Sequence, residues 1–252
     1  MTRLPKILLA GALAATGAAG QAQTAAAPIR NIVLVHGAFA DGSGWKAVAE
    51  ILERDGYHVS IVQQPETSLE EDVAATNRVI DQQDGPVVLV GHSYGGVIIT
   101  EAGNNPHVKT LVYVAAFQPD AGESLGSLQA SLPPASTAVT PTSDGFLFIA
   151  PAAFRADFAA DLPLAQTDWM ARSQVPLSVR AASTGITTPA WKTKPSYAII
   201  ATQDRSLNPD LQRRMYRRSG AKTTEVAGSH AIYISQPAQV AAVIEKAANG
   251  AN

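Results

Sequence analysis

The chain has no cysteine in 252 residues. Disulfides, thiolate metal sites and a cysteine nucleophile are excluded with it. An excess of charge of one sign is also missing: 19 Lys and Arg face 21 Asp and Glu, for a net charge of −2. The charges are scattered, so no basic stripe offers a footprint for nucleic acid. Aromatic residues make up only 6% and charged residues only 16% of the chain. No apolar run is long enough for a membrane span. What remains is a chain that is 46% hydrophobic, the composition of a well-cored globular protein. Its length suits one sizeable domain and is thin for two.

The first 22 residues read as an export signal rather than part of the fold. Arg3 and Lys6 form a basic start, Ile7 to Gly20 is apolar, and Gly20-Gln21-Ala22 offers small residues for cleavage. No Arg-Arg pair precedes the apolar run, so a Sec-type signal is expected, with a periplasmic or secreted protein as the outcome. Residues 23–29 read as a flexible, Ala-rich lead-in.

The most informative stretch is Val87 to Gly96, Val-Val-Leu-Val-Gly-His-Ser-Tyr-Gly-Gly. A short β-branched run predicts a buried strand over 86–90, and a helix is expected from Gly96 to Gly103. Between them stands Gly91-His92-Ser93-Tyr94-Gly95, a G-x-S-x-G pattern. In a strand–turn–helix context it reads as a nucleophile elbow, a strained turn that lifts Ser93 clear of the sheet. Gly91 and Gly95 are expected where the strand and helix backbones leave no room for a Cβ.

Further strands are expected at Asn31–His36, Tyr57–Val62, Val108–Phe117, Ser196–Thr202 and Lys222–Val226. Helical patterns lie between them. Ser68-Leu69-Glu70-Glu71 reads as a capping box opening a helix to about Gln83, and Asn208-Pro209 and Pro237 start two more. The alternation predicts a doubly wound, mostly parallel six-stranded α/β sheet, over residues 30–117 and 195–252. Residues 118–194 are too long for a loop and are expected to form an inserted, mainly helical lid. That stretch holds Phe146, Phe148, Phe154, Phe158, Trp169 and Trp191, most of which should pack the lid on itself.

A serine hydroxyl needs a base to take its proton and a third group to orient that base. Active sites in such sheets gather at the carboxyl ends of the strands. His230 follows the last strand and is the expected base; His36 and His92 are read as structural, while His58 and His107 fall at the wrong strand ends. Asp204, just past the penultimate strand, is the favoured acid, with Asp120 as competitor. The oxyanion of ester hydrolysis needs backbone N–H donors. Tyr94 should supply one and Ala38, in the loop after the first strand, the other, with Phe39 as alternative. Phe39, His92 and Ala231 are the expected substrate contacts.

His36-Gly37-Ala38-Phe39, the elbow, Thr202-Gln203-Asp204 and Ser229-His230-Ala231 together resemble the α/β-hydrolase superfamily. Within it the chain is similar to the compact small-ester group that includes plant methylesterases, hydroxynitrile lyases and many bacterial esterases. The resemblance covers residues 30–247. It implies Ser93 as nucleophile, His230 as base, Asp204 as orienting acid, an apolar acyl pocket under a lid, and no metal or organic cofactor. The implied partner is a small-molecule ester; an acyl transferase or perhydrolase, using the same acyl-enzyme, and a non-catalytic ligand binder are the alternatives. Ala231 and Gly37 stand where the related lyases carry lysine and threonine, which speaks against cyanohydrin cleavage. Ser93 also excludes the aspartate elbow of dehalogenases and epoxide hydrolases.

Overall fold

The computed structural model describes residues 1–2 and 29–250. Nearly all of the expected signal and of the lead-in therefore lies outside the described residues. Strand β1 (Asn31–Val35) is followed by a 3-10 turn and helix α1 (Lys46–Arg54), then β2 (His58–Val62) and α2 (Leu69–Ile80). Next come β3 (Val87–His92), α3 (Gly95–Ala102) and β4 (Val108–Val114). After β4 the alternation breaks, giving α4 (Leu125–Ser131), β5 (Val139–Pro141), β6 (Phe146–Ile149), α5 (Pro151–Phe158), α6 (Leu164–Arg172), β7 (Leu177–Ser178) and α7 (Val179–Ser183). It resumes with β8 (Ser196–Ala201), α8 (Pro209–Ser219), β9 (Lys222–Val226), the short α9 (Ile232–Ser235) and α10 (Pro237–Asn249).

Six strands form one sheet in the order β2-β1-β3-β4-β8-β9, and all its pairings are parallel. The inner strands are buried on both faces, whereas edge strands β2 and β9 are largely accessible. That difference follows from helices covering both faces of a parallel sheet. Alternate side chains sort into two layers. Val33, Leu89 and Leu111 pack with α2, α3 and α8, while Ile32, Val88, Val90 and Val112 pack with α1 and α10. Among the described residues, no helix is long and apolar enough to cross a membrane.

Several boundaries differ from the sequence expectation, for local reasons. β3 runs two residues further than expected, because Gly91 and His92 still pair with Tyr113 and Val114. β4 stops three residues early, where Ala115 turns into the left-handed region at φ 45°. The capping box at α2 is half made: the Ser68 hydroxyl accepts from Glu71 N–H at 3.2 Å. The Glu71 carboxylate takes the Thr67 hydroxyl instead of closing the reciprocal bond. A complete box caps α4, between Ser124 and Ser127. Segment 118–194 is mainly helical, as expected, but also holds a three-stranded antiparallel sheet, β5-β6-β7, that the sequence reading did not place.

Candidate active site

The side chains of interest stand at the carboxyl end of the sheet, where β1, β3, β8 and β9 release the chain into loops. At the turn from β3 to α3, Ser93 has φ 52°, a backbone conformation that costs about 1–3 kcal/mol for a residue with a Cβ. Ser93 N–H donates to the Val114 carbonyl at 3.3 Å, and the Ser93 carbonyl accepts from Phe117 N–H at 3.1 Å. The surrounding glycines are explained by close approach. A Cβ on Gly91 would stand 2.5 Å from the Gly95 carbonyl oxygen, and one on Gly95 would stand 2.6 Å from that of His36.

The structure brings Ser93, His230 and Asp204 into one hydrogen-bonded chain. His230 Nε2 lies 2.8 Å from Ser93 Oγ, and His230 Nδ1 lies 2.7 Å from Asp204 Oδ2. All three residues are buried. Asp204 is in turn held by four donors. Its Oδ1 accepts from the N–H groups of Ser206 (2.9 Å) and Leu207 (2.8 Å), and its Oδ2 accepts from Gln212 Nε2 (2.9 Å) as well as from His230. The competitor Asp120 is elsewhere, paired with Lys192 Nζ at 2.5 Å.

The expected oxyanion donors divide. Phe39, the alternative, has its N–H committed to the Val175 carbonyl at 3.1 Å. The N–H groups of Ala38 and Tyr94 donate to no other group among the described residues. The Tyr94 side chain faces away, its hydroxyl donating to Asp72 Oδ2 at 2.7 Å.

A cavity of about 380 Å³ opens over Ser93 and His230. Its walls are mainly apolar, including Phe39, Phe117, Leu125, Leu147, Ile149, Phe158 and Leu177, and they carry no Asp, Glu, Lys or Arg. Phe39, an expected substrate contact, lines the cavity. His92 and Ala231, the other two expected contacts, do not line it. His92 lies in β3 behind the site, its ring 4.7 Å from that of His230 and 4.3 Å from that of Tyr233. A carbonyl only accepts, so the 2.9 Å contact of His92 Nε2 with the His230 carbonyl puts the proton on Nε2. Burial holds the His92 imidazole well below its ordinary pKa, and therefore neutral. Ala231 is fully buried, and its N–H donates to the Phe158 carbonyl at 2.9 Å and to Ser229 Oγ at 3.2 Å.

Of the aromatics in segment 118–194, Phe158 alone lines this cavity. Phe154 stacks behind it at 5.0 Å, Trp191 donates its Nε1–H to the Pro119 carbonyl, and Trp169 is exposed on the outside.

The sequence reading named His36 as structural but missed its polar neighbours beneath the loop after β1. His36 Nδ1 sits 2.9 Å from Gln64 Nε2 and 3.4 Å from Glu66 Oε1. Asp72 Oδ1 accepts from Glu66 N–H at 2.7 Å. Burial, with the neighbouring Asp72 charge, pushes the Glu66 carboxyl well above its usual value, and burial lowers His36. Glu66 also has φ 59°, which no residue-type signal in the sequence announces.

Comparison with known proteins agrees with this architecture. Residues 32–243 match the alpha/beta hydrolase family, and the chain belongs to it. A carbendazim-hydrolysing esterase of Nocardioides sp. (strain SG-4G) is 35% identical over 119 residues, a match covering 41% of this chain and 49% of that protein. The chain thus spans about half the length of that relative. The alpha/beta hydrolase nvfD of Aspergillus novofumigatus (strain IBT 16806) is 28% identical over 87% of this chain and 97% of its own. Among solved structures, a pyrethroid hydrolase from Sphingobium faniae JZ-2 superposes with a TM-score of 0.75 at 22% identity, covering 88% of this chain and 98% of its own. At that identity the likeness speaks for the fold.

Proposed function

We propose that the protein is an exported serine carboxylesterase acting on small to medium, uncharged esters. The observation that carries this reading is the chain of hydrogen bonds from Ser93 through His230 to Asp204, opening into a cavity without charged side chains. In this mechanism His230 Nε2 takes the Ser93 proton as Oγ bonds to the ester carbonyl carbon. The Nδ1–H bond to Asp204 fixes the imidazole tautomer and stabilises the imidazolium that forms. Negative charge then develops on the carbonyl oxygen, where the N–H groups of Ala38 and Tyr94 are the available donors. His230 returns the proton to the departing alcohol, leaving Ser93 acylated. Water, deprotonated by His230, releases the acid and restores the hydroxyl.

Charged esters would lose hydration on entry without finding a partner, so they are poor candidates. The relative named an esterase, matched over about half its length, points the same way. Export rests on the basic-then-apolar start of the sequence.

The test is Ser93→Ala assayed on p-nitrophenyl esters, beside fluorophosphonate labelling of the unaltered enzyme. The variant should fold normally and lose about 10⁴–10⁶-fold in kcat. Labelling should fall on Ser93. Activity largely retained in Ser93→Ala would end this reading.

A further inference from the structure

His230 is gripped through its backbone as well as its ring. Residues 229–231 follow β9 outside any regular element, so neither a helix nor a strand holds them in place. Neighbouring groups do so instead. Ser229 N–H donates to Asp161 Oδ2 at 3.0 Å, and the Ser229 hydroxyl donates to Asp161 Oδ1 at 2.5 Å. The His230 carbonyl accepts from His92 Nε2 at 2.9 Å. Ala231 N–H donates to the Phe158 carbonyl at 2.9 Å.

Their origins differ. His92 belongs to β3 of the sheet, whereas Phe158 ends α5 and Asp161 lies in the turn before α6. The inserted segment therefore supplies anchors on both sides of the histidine. Partial burial opposes the charge on Asp161, but hydrogen bonds from the Ser229 hydroxyl and N–H, joined by smaller ones from Ser235 and its own backbone, together outweigh it and hold the carboxyl below the ordinary carboxylate range. Asp161 thus stays ionised, and hydrogen bonds to an ionised acceptor are the stronger kind.

We propose that Asp161 is a positioning residue for His230: it clamps Ser229 and so fixes where the imidazole sits between Ser93 and Asp204. The segment that roofs the cavity thereby also completes the mounting of the base, so roof placement and base geometry are one unit. The inference rests on the reading of Ser93, His230 and Asp204 as the reacting groups. Fluorophosphonate labelling of the unaltered enzyme tests that reading separately, and the variants below test only the clamp.

The physical expectation follows from the tolerance of proton transfer. A displacement of about 1 Å at a reacting group can cost about 10²-fold in rate. In Asp161→Ala both bonds to Ser229 are lost, and kcat should fall about 10- to 100-fold while KM stays within about twofold. Asp161→Asn keeps an acceptor oxygen for Ser229 N–H, and should recover kcat to within about fivefold of the unaltered enzyme. Circular dichroism and Tm measured on the same samples separate misfolding from misplacement. Should Asp161→Ala fail to fold, Ser229→Ala decides, since it keeps the Ser229 N–H bond and removes only the hydroxyl, with its bond to Asp161 and the 3.2 Å bond it accepts from Ala231 N–H; kcat should then fall about threefold or more at unchanged KM. The proposal is overturned if folded Asp161→Ala, or Ser229→Ala in its place, keeps the unaltered kcat. It is also overturned if the loss appears in KM, or if Asp161→Asn loses as much as Asp161→Ala.

Discussion

Gly37 lacks a side chain because Ser93 occupies the space one would need. A Cβ there would stand 2.6 Å from Ser93 Cβ and 2.9 Å from His92 Nδ1. Neither neighbour is the far end of a flexible chain, so relief requires the loop itself to move, taking the Ala38 N–H with it. Gly37→Ala should therefore lower kcat by about 10²-fold or more, the loss typical of a displaced oxyanion donor. Steady-state kinetics on a p-nitrophenyl ester checks this; an unchanged kcat would mean that the loop yields without disturbing the reacting groups. The strain at Ser93 belongs to the same scale. Its left-handed φ persists because backbone bonds to Val114 and Phe117 over-determine it.

At the scale of the element, β3 is both scaffold and launch point. Leu89 sits midway along it, fully buried, paired with Val33 of β1 and Leu111 of β4. It points into the layer packed by α2, α3 and α8 and does not line the cavity. Leu89→Ala should cost about 2–5 kcal/mol through the cavity it leaves. The urea midpoint should drop at constant m-value, while kcat of the folded enzyme stays within about threefold. A large loss of kcat in folded protein would mean that the strand transmits its packing to the serine.

At the scale of the whole molecule, ionisable groups trapped under the β1 loop tie stability to pH. The folded chain pushes the Glu66 carboxyl well above its ordinary value of 4.5, first through burial and then through Asp72. Between those two values the folded state holds a proton that the unfolded chain has released. This contribution therefore favours folding at low pH and is lost as pH rises through the raised value. Glu66→Gln removes the titration while keeping the shape. The stability of the variant relative to the unaltered protein should grow from about pH 4 to about pH 8, measured by urea unfolding at each pH. A gap independent of pH would show that Glu66 ionises alike in both states.

The alternation of short apolar runs with helical patterns was enough to read a parallel sheet, because strands buried on both faces read as short continuous apolar runs and crossover helices separate them. Ser93, His230 and Asp204 were nameable for a related reason: loops at the carboxyl ends of parallel strands converge, and strand ends are visible in sequence. Tertiary structure alone decided which groups meet. Asp204 rather than Asp120 reaches His230, Ala38 rather than Phe39 keeps its N–H free among the described residues, and His92 retreats behind the site while Asp161 advances to the loop that carries His230. These are contacts between residues tens of positions apart, made by polar groups with no periodicity. Local sequence encodes the conformation of each segment, but hydrogen-bond partners are chosen only when packing has removed the water that would otherwise serve them.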